Sequence, residues 1–197
     1  MQKKSFLVLV LYLVSATIFV QAQQVADTKH ATPLNAEQEK RALQSLSKII
    51  EKEILSAVEA MPADKFGFAP TDGEFKSVRT FGQMAKHVSA TNHILAAAAL
   101  GEEAPADAGD ELGPEDVRTK AEILTYLKGS FVHLDKAIEA VGQIDIPVNA
   151  SPISPLKRSE VTRVALIAES WLHAYDHYGQ MVEYLRMNGV VPPSSRP

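Results

Sequence analysis

The sequence contains no cysteine. Disulfides are therefore excluded as a source of stability, and no thiolate is available as a nucleophile or metal ligand. Any metal must be held by His, Asp or Glu. A basic excess is missing too: 20 Lys and Arg stand against 24 Asp and Glu, a formal charge of −4. No nucleic-acid partner is expected, because phosphate binding needs clustered cations. No GxSxG elbow is present for serine chemistry, and no glycine loop is present for phosphate. A di-iron bundle would need Glu-x-x-His pairs, but Glu169 and His173 are spaced by four. Beyond the N-terminal segment there is no long apolar run, so no stable membrane span is expected.

What is there begins with two parts of different character. Residues 1–22 run from the basic "MQKK" through "SFLVLVLYLVSATIFV" to small residues at Val20 and Ala22. This is the anatomy of a signal peptide cut after Ala22, which predicts export to a periplasm or the medium. An uncleaved anchor is the alternative, although Ser15 and Thr17 interrupt the run. A polar linker occupies 23–34, and a single domain is expected over 35–197. Hydrophobic residues make up 46% of the chain, enough for a core.

The domain reads as all-α. The first helical segment starts after Asn35, repeats Leu43, Leu46, Ile49, Ile50, Ile54 and Val58 at helical spacing, and stops at Pro62. A Pro- and Gly-containing loop fills 62–78, and a second helix runs from near Thr80 to Gly101. The third starts at Pro114 and carries Leu124, Leu127, Phe131, Leu134, Ile138 and Val141 as a seam. A Pro-rich loop covers 143–158. The fourth helix is expected to be capped by Ser159 and stopped by Gly189. Strand alternation is not evident. Four amphipathic helices with long connecting loops predict a four-helix bundle.

Six histidines carry the site argument. His173 and His177 differ by about 40° on a helix, so they share a stripe with Leu166, Ser170, Gln180 and Tyr184. Two imidazoles one turn apart can chelate one ion, but a surface pair is the plainer reading of HxxxH alone. His87 shares an inward face with Thr80, Met84, Thr91, Ile94 and Ala98, so it is either a satisfied core residue or a ligand. His93 lies about 240° round from His87 and cannot aim at the same centre. His133 falls off the third seam and reads as a surface residue, and His30 lies in the linker. By facing, His87, His173 and His177 form the one trio. Three neutral nitrogens with an open position suit zinc or nickel. Glu169 and Asp176 are candidates to orient a histidine ring from behind, with a solvated carboxylate as the plainer reading of each. Tyr175, Tyr178 and Tyr184 are either pocket-lining or packing residues.

Two stretches, "FKSVRTFGQMAKHVSATNHILAAAALGEE" and "WLHAYDHYGQMVEYLRMNGVVPPSSRP", resemble the DinB family. The resemblance extends over about residues 35–197, and its most specific part is the ending HxxxHxGQxxxYLRxNGxxPP. It implies a four-helix bundle with a divalent metal held by His87, His173 and His177. Gly179 and Gln180 match the HxGQ ending. Some members of the wider superfamily transfer low-molecular-weight thiols, and the N-terminal segment departs from their intracellular setting.

Three functions fit these residues. One is a metal-dependent transferase or hydrolase-like enzyme that activates a thiol or water for an unknown small-molecule substrate. The second is a bundle that captures a metal or small ligand without turnover. The third is an interaction scaffold with a vestigial site and an exposed apolar patch where a homodimer forms. For the N-terminus the expected outcome is direct: N-terminal sequencing of the exported protein should begin at Gln23. A chain that keeps Met1 would overturn the signal-peptide reading.

Overall fold

The computed structural model describes residues 35–70, 78–142, 147–149, 151–156 and 161–196. The signal peptide at 1–22 and the linker at 23–34 lie outside these residues, as does Ser159. Four helices form the domain: α1 (Ala36–Ala60), α2 (Phe81–Leu100), α3 (Lys120–Glu139) and α4 (Arg163–Met187). Short 3₁₀ turns lie at Ala63–Lys65, Ala106–Ala108 and Pro193–Ser195. A two-residue antiparallel pair, β1 (Pro147–Val148) with β2 (Val161–Thr162), sets Val148 against Val161. None of the described helices is long and apolar enough to cross a membrane.

Helix starts follow side-chain caps rather than prolines. Thr80 accepts from the Gln83 amide while the Gln83 side chain accepts from the Thr80 amide, a reciprocal capping box that starts α2. A matching box joins Thr119 and Glu122 at the start of α3. The expected start at Pro114 is therefore wrong. The Lys86 ammonium donates to the Pro114 (2.7 Å) and Val117 (3.4 Å) carbonyls and holds that stretch as a turn. In α4 the cap is Thr162, which accepts from the Ala165 amide. A start at Ser159 is overturned, because Val161 and Thr162 are in β2. Gly101, at φ 77°, closes α2 in the left-handed conformation that glycine adopts freely.

The helices are arranged so that α1 packs on α3 and α4, and α2 packs on α3 and α4. Their end contacts fix the directions. Lys120, at the start of α3, donates to the Glu59 and Met61 carbonyls at the end of α1. Arg163, at the start of α4, donates to the Ala99 carbonyl of α2 and the Ala140 carbonyl after α3. So α1 opposes α3, α4 opposes both α2 and α3, and α2 and α3 run parallel. Parallel neighbours need a return run along the bundle, and residues 101–119 supply it.

The core holds Ile54, Met61, Phe81, Met84, Leu127, Phe131, Leu134, Ile138, Leu166 and Met181, all nearly inaccessible. Phe66 meets Phe81 edge-on at 5.4 Å. A Cβ on Gly82 would lie 3.2 Å from both the Phe66 ring and its carbonyl, so a larger residue fits only if Phe66 gives by a few tenths of an ångström. The seam expected on α3 is buried from Leu127 to Val141, with Leu124 packed at its edge. On α1 the buried stripe is Ser47, Ile50, Ile54, Ala57 and Val58, and the expected core residues Leu46 and Ile49 are about half exposed.

A polar knot crosses this core. The Ser170 hydroxyl donates to the Asn92 side-chain oxygen (2.6 Å), the Asn92 amide donates to Ser130 (3.1 Å), and Ser130 donates to the Leu127 carbonyl (2.8 Å). The three side chains belong to three helices and are fully buried. Asn92→Ala leaves two buried hydroxyls short of a partner and should cost about 1–3 kcal/mol. Urea denaturation of the purified variant measures it, and an unchanged midpoint would contradict the role assigned to the knot.

Candidate metal centre

Helix α2 buries His87 in its first half, and α4 places His173 and His177 one turn apart facing it. The three ring centroids are 4.8, 4.9 and 4.6 Å apart, a near-equilateral set of edge-to-face imidazoles. One ring nitrogen from each lies within 4.8 Å of the other two. His87 Nε2 and His173 Nε2 are 3.0 Å apart.

Which nitrogens are free follows from counting protons. His87 Nδ1 is 2.8 Å from the Glu111 carbonyl. A carbonyl only accepts, so Nδ1 carries the proton and Nε2 keeps its lone pair. His177 Nδ1 lies 3.4 Å from Gln180 Oε1, while the Gln180 amide donates to Asp176 at 2.9 Å. That donation orients the Gln180 amide and leaves its oxygen for the His177 proton, so His177 Nε2 is bare as well. His173 Nδ1 is buried without a hydrogen-bond partner.

All three rings are held neutral. Burial is the largest cause of the lowered pKa at each, and it brings His173 down to about 3 with help from His177, His87 and Arg79. For His87, burial outweighs the Glu111 carbonyl bond, which pushes the other way, and Arg79 adds to the lowering. For His177, burial and His87 outweigh Gln180 and Asp176. Neutral imidazoles whose ring nitrogens converge are the donor set that a borderline divalent ion takes, once the proton between His173 Nε2 and His87 Nε2 moves to His173 Nδ1.

The structure separates the other expected residues. Asp176 reaches the site through Gln180, which touches His177. Glu169 accepts from the Ser154 hydroxyl (2.7 Å) rather than from His173. With Glu111 and His173 it lines a cavity of about 490 Å³ whose walls include Leu95, Ile153 and Leu172. Tyr184 is packed against Phe68 at 5.5 Å and donates to the Arg79 carbonyl, and Tyr178 donates to Glu53. Among the described residues no tyrosine lines the cavity. His133, expected at the surface, is largely buried against His93, whose Nδ1 is 3.0 Å from its own.

Sequence reasoning missed Glu111 and Arg79. Glu111 acts through its backbone and is the one described non-glycine residue with positive φ, at 64°. Arg79 precedes the α2 cap, its guanidinium bears on all three rings, and its Nε is buried without a partner.

A family model described as the DinB superfamily matches residues 48–181, more than half of the chain, and that span contains all three histidines. No curated protein matches the chain.

In the metal-free protein the histidines have folded pKa values below their ordinary 6.5, so the unfolded chain takes up protons first as pH falls. Stability should be level above about pH 7 and decline from about 6.5 downward, through the range ending near 3 for His173. Denaturation midpoints between pH 7 and 5 read the histidines before most carboxylates titrate. A flat midpoint across that window would contradict buried neutral rings.

Proposed function

Because the chain belongs to the DinB superfamily, we propose that it is a divalent-metal protein with His87, His173 and His177 as ligands and zinc or nickel as the ion. The reading extends to a transferase or hydrolase-like activity, exported from the cytoplasm. The observation that carries it is the convergence of three neutral imidazole nitrogens beside an apolar cavity. Bound there, the ion supplies a Lewis acid that lowers the pKa of a thiol or a water.

The remaining work falls to the chain's own side chains. The Glu111 carbonyl holds the proton on His87 Nδ1, and the Asp176–Gln180 pair does the same for His177. Ser154 fixes one oxygen of Glu169, which leaves Oε1 to accept a proton from the nucleophile at the cavity wall. Leu95, Ile153 and Leu172 give the cavity an apolar wall that favours a substrate with an apolar body. Arg79 adds positive potential over the three rings and favours an anionic nucleophile.

Elemental analysis of the purified chain should find about one tightly bound zinc or nickel ion per molecule, lost on His87→Ala, His173→Ala or His177→Ala. Folded variants that keep their full metal content would overturn the ligand assignment.

A further inference from the structure

We propose that His93 and His133 form a second divalent-metal site, separate from the three-histidine cluster, in which the two Nδ1 atoms hold a borderline ion such as zinc. His93 stands on α2 and His133 on α3, with Nδ1 to Nδ1 at 3.0 Å and ring centroids 5.3 Å apart. Two bonds of about 2.0–2.1 Å at angles of about 90–110° place their nitrogens roughly 2.9–3.4 Å apart. The observed spacing falls in that range without any movement of either helix.

The same spacing serves a hydrogen bond in the metal-free pair and an ion when one is bound. His133 Nε2 lies 3.8 Å from a Glu102 carboxylate oxygen. That is beyond hydrogen-bond reach, but the negative charge behind the far nitrogen favours a proton on Nε2 over one on Nδ1. In the metal-free pair His93 Nδ1 then supplies the shared proton. When the ion enters, that proton moves to His93 Nε2, and both rings stay neutral. Both are neutral at pH 7 in any case. Burial first and then His133 bring His93 down to about 4 against the opposing pull of Asp107. At His133, burial outweighs Glu102.

Waters complete the coordination, because among the described residues no third His, Asp or Glu offers a ligand atom within reach of the two Nδ1 atoms. Glu102 is close to His133, and Asp107 acts on both His93 and Tyr126. The Tyr126 ring packs on His93 at 5.1 Å, and its buried hydroxyl has no partner. It is a donor for a carboxylate or water bound beside the pair. The side chain of His133 keeps 15% of its surface open, which gives an ion a way in. Asn92 and Ser130 already tie α2 to α3 close by, so the bundle has no need of the histidine pair as an interhelical tie.

The test is a Zn²⁺ titration of the full chain by calorimetry, after stripping with chelator, at pH 7. We expect two ions, the second bound roughly tenfold or more weakly, because two nitrogens hold it instead of three. His93→Gln and His133→Gln, which keep side-chain volume and polarity, should each lose the weaker step and retain the tighter one. His173→Ala should do the reverse, so failure of the three-histidine site and failure of this one are read separately. Wild type with no ion beyond the one that His173→Ala removes would overturn the proposal. So would a second ion that persists in both glutamine variants. If a glutamine variant does not fold, retention of one weak ion by His173→Ala supports the pair, and its absence refutes it.

Discussion

The candidate centre depends on one hydrogen bond, from His87 Nδ1 to the Glu111 carbonyl. It decides which nitrogen of the innermost histidine is free, and so whether three lone pairs can meet. Its net contribution to stability is about 1 kcal/mol. The left-handed backbone that presents the carbonyl costs about the same, 1–2 kcal/mol. The two roughly cancel, so what the bond contributes is orientation. The need for it follows from topology. Helices α2 and α3 are parallel neighbours, and the chain between them must travel back along the bundle. That return run passes His87 and lays Glu111 against it.

Register across the bundle is the second constraint. Ser170 on α4 bonds Asn92 on α2, five residues beyond His87 and three before His173. A slip of one residue would move α4 by about 1.5 Å and turn it by about 100°. His173 would then leave His87, Ser170 would be buried without its acceptor, and the Asn92 side-chain oxygen would lose its donor. An apolar interface of Leu and Ala would tolerate such a slip more readily, because hydrophobic contact is not directional. The buried knot therefore supports the geometry of the rings more than it supports the core.

How much of this was legible in the sequence differs by residue. Helical periodicity gave the four helices, and facing alone gave His87, His173 and His177 as a set. Thr80 and Gly101 marked α2 because caps and left-handed glycines leave local signals. "TKAE" at 119–122 is an equally clear capping box, and it outweighs Pro114, which only permits a start. Leu46 and Ile49 misled because α1 meets two neighbours along a narrow stripe. His133 misled for a different reason: a residue off its own seam is exposed only if no other helix covers it, and α2 brings His93 there. Glu111 left no signal at all. Any residue has a carbonyl, and its position follows from the path of the return run.

Charge explains why these parts belong together. The three imidazoles are neutral, and Arg79 repels a cation as well as a proton, which by itself would weaken metal binding. Glu111, Glu169 and Asp176 bring three carboxylates to the cavity and the histidines. Set against the proposed divalent ion and one guanidinium, they would bring the neighbourhood to neutrality. The opposition of Arg79 is then not a defect. On the proposed reading, a site neutral with an ion in place would become negative when a thiol or water gave up its proton, and the nearby fixed cation would favour that step. A lysine or arginine bonded to Glu111 would cancel this effect. The Glu111 carboxylate instead lies 3.8 Å from His87, and Arg79 Nε remains buried without a partner.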